Sequence, residues 1–260
     1  TVEKVNLKMY NTYILKMLGV FCLMDIATSK EQIITDGILH AMSITEKDVV
    51  DDFKGSISKT NKNGLSFNVW ARRSDDLESQ FAKYDDIEVF HIERTKLWQI
   101  DPVFDKKTGN IYLLFSDTTL SHIRNKYVKK GKSTHYSVSF LLKNAGLLPM
   151  DGEKVELIPF TDEEIERLNL KRQKDIEKML GKNAENVKKV IMVSVSYHEG
   201  EAIAALLQEY TSNFELSSEK DVSFMLNTAY SGDIVMDDDG TQPMESERPL
   251  VTLKSIKKTE

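Results

Sequence analysis

The first sixty residues carry apolar side chains at intervals of three and four, the period of a helix with one buried face. Two sets follow this period, Tyr10, Ile14, Met17, Leu18 and Phe21 in the first, and Ile34, Ile38 and Met42 in the second. Thr45 followed by Asp48 is typical of a capped helix start and predicts a third helix that runs through Phe53. The polar run 58–64 then predicts a loop.

From Ile87 the apolar period changes to two, which is typical of a strand. A short helix is expected before it, around Leu77–Phe81. Leu97–Phe104 and Ile111–Phe115, joined by an Asp-Lys-Lys-Thr-Gly-Asn turn, form the strongest hairpin pattern in the chain. Because Pro102 lacks a backbone donor, we expect its strand to lie at a sheet edge or to carry a bulge.

The second half of the chain predicts helices that alternate with strands, ended by an acidic segment with two prolines and no period, typical of disorder. The predicted elements are a helix capped at Ser116 or Asp117, a helical segment 136–148, a strand 155–160, a charged helix 162–180 capped by Thr161 and Glu164, an interior strand 190–197, a segment 202–214 that fits either a strand or a short helix, and a tail from Ser231.

These patterns predict an α+β fold, in which a helical N-terminal region packs on a mostly antiparallel sheet with flanking helices and a disordered acidic C-terminal tail follows. The predicted domains are a helical region 1–60, an α+β domain 65–230 and a flexible tail 231–260.

Charge and composition narrow the function classes. The net charge of −6 means that the whole molecule does not attract nucleic acid or an anionic membrane, so any such role needs a local patch. The longest apolar run, Met17–Met24, is too short to cross a bilayer. The single cysteine, Cys22, excludes an intramolecular disulfide. We expect a cytoplasmic protein with no membrane partner.

No motif predicts a catalytic residue, a metal ligand or a cofactor. Gly131-Lys132-Ser133 lacks the earlier glycine of a phosphate loop, because Lys126 stands in its place. The histidines lack metal-binding spacing. Asp105-x-Lys107, with Asp101 nearby, has part of the pattern of a metal-dependent nuclease, so a nuclease or phosphoesterase stays open as an alternative.

One segment stands out by charge. Between Asp117 and Leu147 the only acid is Asp117, against six bases. We predict that this segment contacts an anionic partner, either nucleic acid or an acidic protein face, since such partners need concentrated positive charge. The predicted partner-binding residues are Arg124, Lys126, Lys129, Lys130, Lys132, His135 and Tyr136. Tyr127, His135 and Tyr136 are also candidates for stacking on unpaired bases. The alternative role of the bases is solubility, or pairing with the acidic helix or tail.

The chain resembles the domain of unknown function 5986, a family of bacterial and phage-borne proteins, over about residues 65–225. The resemblance depends on Trp98, the strand-turn-strand Val103–Tyr112, the lysine-rich helix with His135-Tyr136, and more weakly Met179-Leu180-Gly181 with Asn186–Val190. It implies an α+β domain and a bacterial or phage setting, and it transfers no catalytic residues.

The sequence therefore predicts a non-enzymatic binding protein of a bacterium or phage that engages an anionic partner, with host–phage defence or counter-defence as a setting that fits. Besides the nuclease or phosphoesterase, a second alternative is an oligomeric scaffold subunit. In it the N-terminal helices, with the apolar face of Tyr10–Met24, pair between chains.

Overall fold

The computed structural model describes residues 30–96, 98–151 and 161–226. The helices in these ranges are α1 (30–43), α2 (Glu46–Ser56), α3 (Leu65–Phe81), α4 (Asp117–Lys130), α5 (Tyr136–Phe140) and α6 (Asp162–Leu180). The strands are β1 (Ile87–Val89), β2 (Ile92–Thr95), β3 (Trp98–Ile100), β4 (Val103–Asp105), β5 (Asn110–Ser116), β6 (Lys189–His198), β7 (Glu201–Tyr210) and β8 (Leu216–Asp221). The predicted helix at 10–21, the strand at 155–160 and the tail lie outside the described residues.

The main sheet has six strands in the order β1-β4-β5-β6-β7-β8, and β2 and β3 form a separate two-stranded sheet. Only β5 and β6 run parallel, so the predicted α+β fold with a mostly antiparallel sheet is confirmed. A parallel pair requires a long crossover connection. In this chain the crossover contains α4, α5 and α6, and it therefore carries the whole lysine-rich segment.

Helices cover both faces of the main sheet. Successive residues of a strand point to opposite faces, and β5 shows this directly. Leu113 belongs to the apolar core beneath α4, α5 and α6, whereas Tyr112 and Leu114 belong to the core beneath α1 and α3. The helix predicted from Ile34, Ile38 and Met42 is confirmed as α1, in which these three side chains are fully buried against this second face. The predicted division into domains stays a prediction.

Three helix starts follow the predicted capping patterns. The Asp48 carboxylate accepts a hydrogen bond from the Thr45 N–H (2.7 Å) at the start of α2, and Glu164 accepts one from the Thr161 N–H (3.1 Å) at the start of α6. The Ser116 hydroxyl accepts a hydrogen bond from the Thr119 N–H at the start of α4. These contacts satisfy backbone groups that a helix end leaves unpaired.

The predicted short helix and the predicted hairpin both differ from the structure. Leu65–Phe81 is one continuous helix, α3. Residues 98–105 pair mainly with residues 87–95. β1 pairs with β4 and β2 pairs with β3, so the four strands form one bent hairpin. The bend lies at Pro102, whose missing N–H interrupts the ladder, and its carbonyl still accepts from the Phe90 N–H (2.9 Å). Only the three residues of β4 continue on to pair with β5.

The turn between β4 and β5 is anchored in the fold. Asp105 is buried, lies 2.7 Å from the Lys30 ammonium and accepts a hydrogen bond from the Thr108 hydroxyl (2.8 Å). Gly109 has a φ of +78°, and its carbonyl accepts from the Lys188 N–H (2.8 Å). The turn therefore connects directly to the start of β6 and supports the parallel pair.

Candidate functional site

A large surface cavity of about 790 Å³ lies between the C-terminal half of α4, the loop 131–134, α6 and the loop after β7. We call it the basic groove. Its cationic lining consists of Lys126, Lys130, Lys132, Lys171 and Arg172, and its apolar lining consists of Tyr127, Val138, Ile165 and Leu168. The groove thus combines an apolar floor with cations from two separate helices.

The placement of the α4 lysines follows from the helical period. Ile123 and Tyr127 are buried in the core, which fixes the rotation of the helix. Lys126 and Lys130 are four residues apart and share one face, and both line the groove. Lys129 is exposed and is not part of the lining. The helix ends at Gly131 with a φ of +61°, a left-handed conformation that glycine adopts without steric cost.

Arg172, on α6, links three elements around the groove through hydrogen bonds. Its guanidinium donates from Nε (2.9 Å) and Nη2 (2.6 Å) to the Val138 carbonyl and from Nη2 to the Ser212 carbonyl (3.0 Å). Burial lowers the pKa of Arg172, but an arginine in a protein remains protonated at neutral pH. This residue therefore joins α6, α5 and the loop after β7 while it adds a positive charge to the floor.

The positive charge of the groove is largely uncompensated. Asp175 is the one acid in the lining, and it already forms a bidentate pair with Arg94, with distances of 3.0 and 3.3 Å. Lys126, Lys130, Lys132 and Lys171 make no ion pair with any residue in the described part of the chain. The α6 acids therefore form no ion pair with these four lysines, although the protein as a whole is anionic.

The other predicted binding residues lie elsewhere. Arg124 is half-buried and donates from Nε to the Phe214 carbonyl (3.2 Å). His135 caps α5 by accepting from the Ser137 N–H, and burial, reinforced by Arg94 and Lys126, lowers the pKa of His135 to about 4. Its imidazole is therefore neutral at pH 7 and adds no positive charge.

Tyr136 and Tyr127 both contribute to the core. The Tyr136 ring stacks on Phe115 with 5.9 Å between ring centroids, and burial raises the pKa of its hydroxyl. Tyr127 is buried within the core beneath α4, and it also lines the groove. The partner-binding role of the seven predicted residues stays a prediction; of the seven, Lys126, Lys130 and Lys132 line the basic groove, whereas His135 and Tyr136 line a different cavity.

Sequence reasoning missed the α6 side of the groove. Lys171 and Arg172 occur in a helix with balanced acids and bases, where no run of one sign singles them out. The signal in the sequence is the spacing of Arg172 and the buried Ile176, which lie four residues apart and therefore share the side of α6 that faces the protein. Its relation to α4 depends on tertiary packing, which the local pattern does not contain.

The acids of the nuclease alternative serve separate contacts. Asp105 bonds to Lys30 and Thr108 in its turn, whereas Asp101 lies 2.8 Å from His91 Nδ1 and accepts from Gln99. Within residues 30–96, 98–151 and 161–226, no group of three or more His, Cys, Asp and Glu side chains is arranged to hold a metal ion.

No helix in the described ranges has both the length and the apolar character needed to cross a bilayer. Comparison with curated proteins and with solved structures finds no match. A family model does match, over residues 27–260, and it includes the lysine-rich crossover and both sides of the groove. The protein therefore belongs to the family of unknown function DUF5986.

Proposed function

We propose that this protein is a non-enzymatic binding protein whose basic groove holds a single strand of nucleic acid. The observation that carries the proposal is the set of five cations around an apolar floor, with its one acid already paired to Arg94. Lysine ammonium groups recognise phosphate as point charges without demanding one geometry, and they dominate affinity for nucleic acid backbones. The bacterial or phage setting and the defence role stay predictions.

The apolar floor favours a single strand over a duplex. In a single strand the bases are free to turn toward the protein, where Ile165, which is 44% exposed, and Leu168 offer apolar contact. In a duplex the bases are stacked inside and only the phosphates and groove edges meet the protein. A groove that needed only phosphate contacts would gain nothing from exposed apolar side chains.

Fluorescence anisotropy with a labelled 20-nucleotide single strand tests the proposal. Lys130→Glu and Lys129→Glu form a matched pair, since the residues are adjacent on α4 and both exposed, yet only Lys130 lines the groove. We expect Lys130→Glu to weaken binding at least tenfold. Lys129→Glu should have a much smaller effect, because this side chain does not line the groove and solvent and salt screen an exposed charge that makes no direct contact with the strand.

The combined variant Lys126→Glu, Lys130→Glu, Lys132→Glu should abolish binding. Equal binding by this variant and the wild-type protein would refute the proposal. An acidic amphipathic peptide is the competing partner, because an apolar floor with a cationic rim also suits an acidic helix. Binding of such a peptide without binding of the oligonucleotide would overturn the nucleic-acid proposal.

A further inference from the structure

A second cavity, of about 200 Å³, lies at a gap in the main sheet. β5 has seven residues, but β4 pairs only with Asn110, Ile111 and Tyr112, because the chain bends away at Pro102. Beyond Tyr112, β5 has no strand beside it on that side within the described residues. Leu113–Ser116 line the cavity along this open edge, and α3, β3 and the starts of α4 and α5 close it.

Two largely covered side chains of opposite charge line this cavity. Arg73 is 6% exposed, and its Nε and Nη2 donate to the carbonyls of Ile44 and Met42, while Nη2 also donates to the Tyr197 hydroxyl. Nη1 has no acceptor in the part of the chain that the structure describes. The Asp101 side chain is 9% exposed.

The Asp101 contacts leave one of its oxygens open. The Gln99 amide donates to Oδ1 (2.6 Å), and His91 Nδ1 also lies 2.8 Å from Oδ1. Oδ2 has no donor among residues 30–96, 98–151 and 161–226, and Asp101 and Arg73 do not pair with each other. No buried side-chain N or O atom of the described residues lacks a hydrogen-bond partner, so Nη1 of Arg73 and Oδ2 of Asp101 are open to solvent. The cavity therefore suits a ligand that presents an acceptor to Arg73 and a donor to Asp101.

The walls of the cavity are aromatic. On one side, the rings of Trp70 and Trp98 meet edge to face, with 6.0 Å between their centroids. On the other side, the ring centroids of His135 and Tyr136 lie 4.3 Å apart. Such walls favour a flat ring system. The Arg73 guanidinium already lies 4.9 Å from the Trp70 ring centroid, so a cationic ligand would be repelled, and an uncharged flat ring suits the cavity better.

We infer that this cavity binds a single purine base, and that guanine fits it best. Guanine presents O6 and N7, which accept from arginine, and N1–H and N2–H₂, which donate to a carboxylate such as Asp101. A cavity of about 200 Å³ is smaller than the sites of drug-sized ligands, and it suits one fused ring system. No duplex can enter it.

The purine pocket lies next to the basic groove along the chain. Lys132, Ser133 and Thr134 line the groove, and the next two residues, His135 and Tyr136, line the pocket. Consecutive residues of one loop thus link the two cavities, and we expect a strand whose phosphates lie in the groove to place one unstacked base in the pocket. The inference rests on the proposed function only for this link to a strand, because binding of a free nucleoside needs the pocket alone.

Intrinsic fluorescence reports on the pocket without a label. The chain has two tryptophans, Trp70 and Trp98, and both line the pocket. Titration of the full chain with guanosine, which carries no phosphate, should give saturable quenching after correction for absorbance. Adenosine, cytidine and uridine should bind at least tenfold more weakly, because their edges present a different order of donors and acceptors.

Two variants test the assignment of the pocket. Asp101→Asn should weaken guanosine binding at least tenfold, because the carboxylate is the acceptor for the guanine N–H groups. Since this change also alters the contact with His91, Thr119→Phe provides a second test. Thr119 is exposed and lines the pocket, whereas its exposed neighbour Thr118 does not, so Thr118→Phe is the matched control. Only Thr119→Phe should abolish quenching.

The outcomes separate the pocket from the groove. Equal quenching by all four nucleosides would overturn the guanine assignment, and quenching by none of them, or unchanged quenching in Thr119→Phe, would overturn the pocket. The combined lysine variant should lose the oligonucleotide and keep guanosine. If the wild-type protein binds guanosine but no oligonucleotide, the proposed function fails and the purine pocket stands.

Discussion

The salt dependence of oligonucleotide binding gives a quantitative test of the basic groove. Four lysines line it, and Arg172 is left out of the count because its guanidinium already donates to backbone carbonyls. For single strands the slope of log K against log salt is about −0.7 per phosphate neutralised. Four contacts give a slope of about −2.8, so affinity should fall about 50-fold between 50 and 200 mM salt.

Removal of one lysine should change this slope by a known amount. Lys130→Gln leaves three contacts and should reduce the slope to about −2.1, so that the same change of salt lowers affinity only about 20-fold. Lys62→Gln is the control. Lys62 is exposed in the loop 57–64, and its substitution removes the same charge at a position outside the groove. Anisotropy titrations at five salt concentrations measure all three slopes. A slope unchanged by Lys130→Gln, or equally reduced by Lys62→Gln, would refute the assignment of the groove.

Three further predictions concern stability, measured by urea unfolding. Gly109→Ala should cost about 2 kcal/mol or more, because the backbone has a φ of +78° and the new Cβ would lie 2.7 Å from a backbone carbonyl oxygen. Asn144→Leu should cost about 3 kcal/mol, since it removes two hydrogen bonds to the Val190 backbone and one to the Tyr210 carbonyl within the core; a cost below 1 kcal/mol would contradict this. Partial burial lowers the pKa of His91, but hydrogen bonds to two carboxylates outweigh it and raise the pKa above 6.5. The stabilisation by His91 is therefore fully present below pH 6.5 and lost as pH rises through the folded-state pKa, so His91→Gln should destabilise more at pH 5.5 than at pH 8.

Local patterns identified most elements of the described fold because their causes are local. Capping at Thr45, Ser116 and Thr161 depends on side chains within three residues of the helix start. The β-branched run at 190–197 predicts a buried strand wherever it lies in the sheet, and β6 is that strand. The apolar period of 202–214 fits either a strand or a short helix. The structure forms β7 there, because β6 and β8 supply hydrogen-bond partners on both sides.

The basic groove was half predictable for a similar reason. A run of bases with one acid is visible along α4 and the loop after it, and three of its lysines, Lys126, Lys130 and Lys132, line the groove. The same run also includes Arg124 and His135, whose side chains are engaged in folding contacts. Sequence shows where charge is concentrated, but whether a base points outward depends on the rotation of its helix against the core.

The purine pocket shows where local reasoning ends. The sequence predicts that Leu97–Phe104 pairs with Ile111–Phe115 and that the strand of Pro102 lies at a sheet edge or carries a bulge. Pairing with 87–95 instead turns β3 away from β5, and this leaves the edge of Leu113–Ser116 open. Arg73 and Asp101 then approach the same gap from a helix and from the bend. The proline that interrupts the ladder thus lies beside the open edge, and the donor of Arg73 and the acceptor of Asp101 define which ligand edge the cavity can accept.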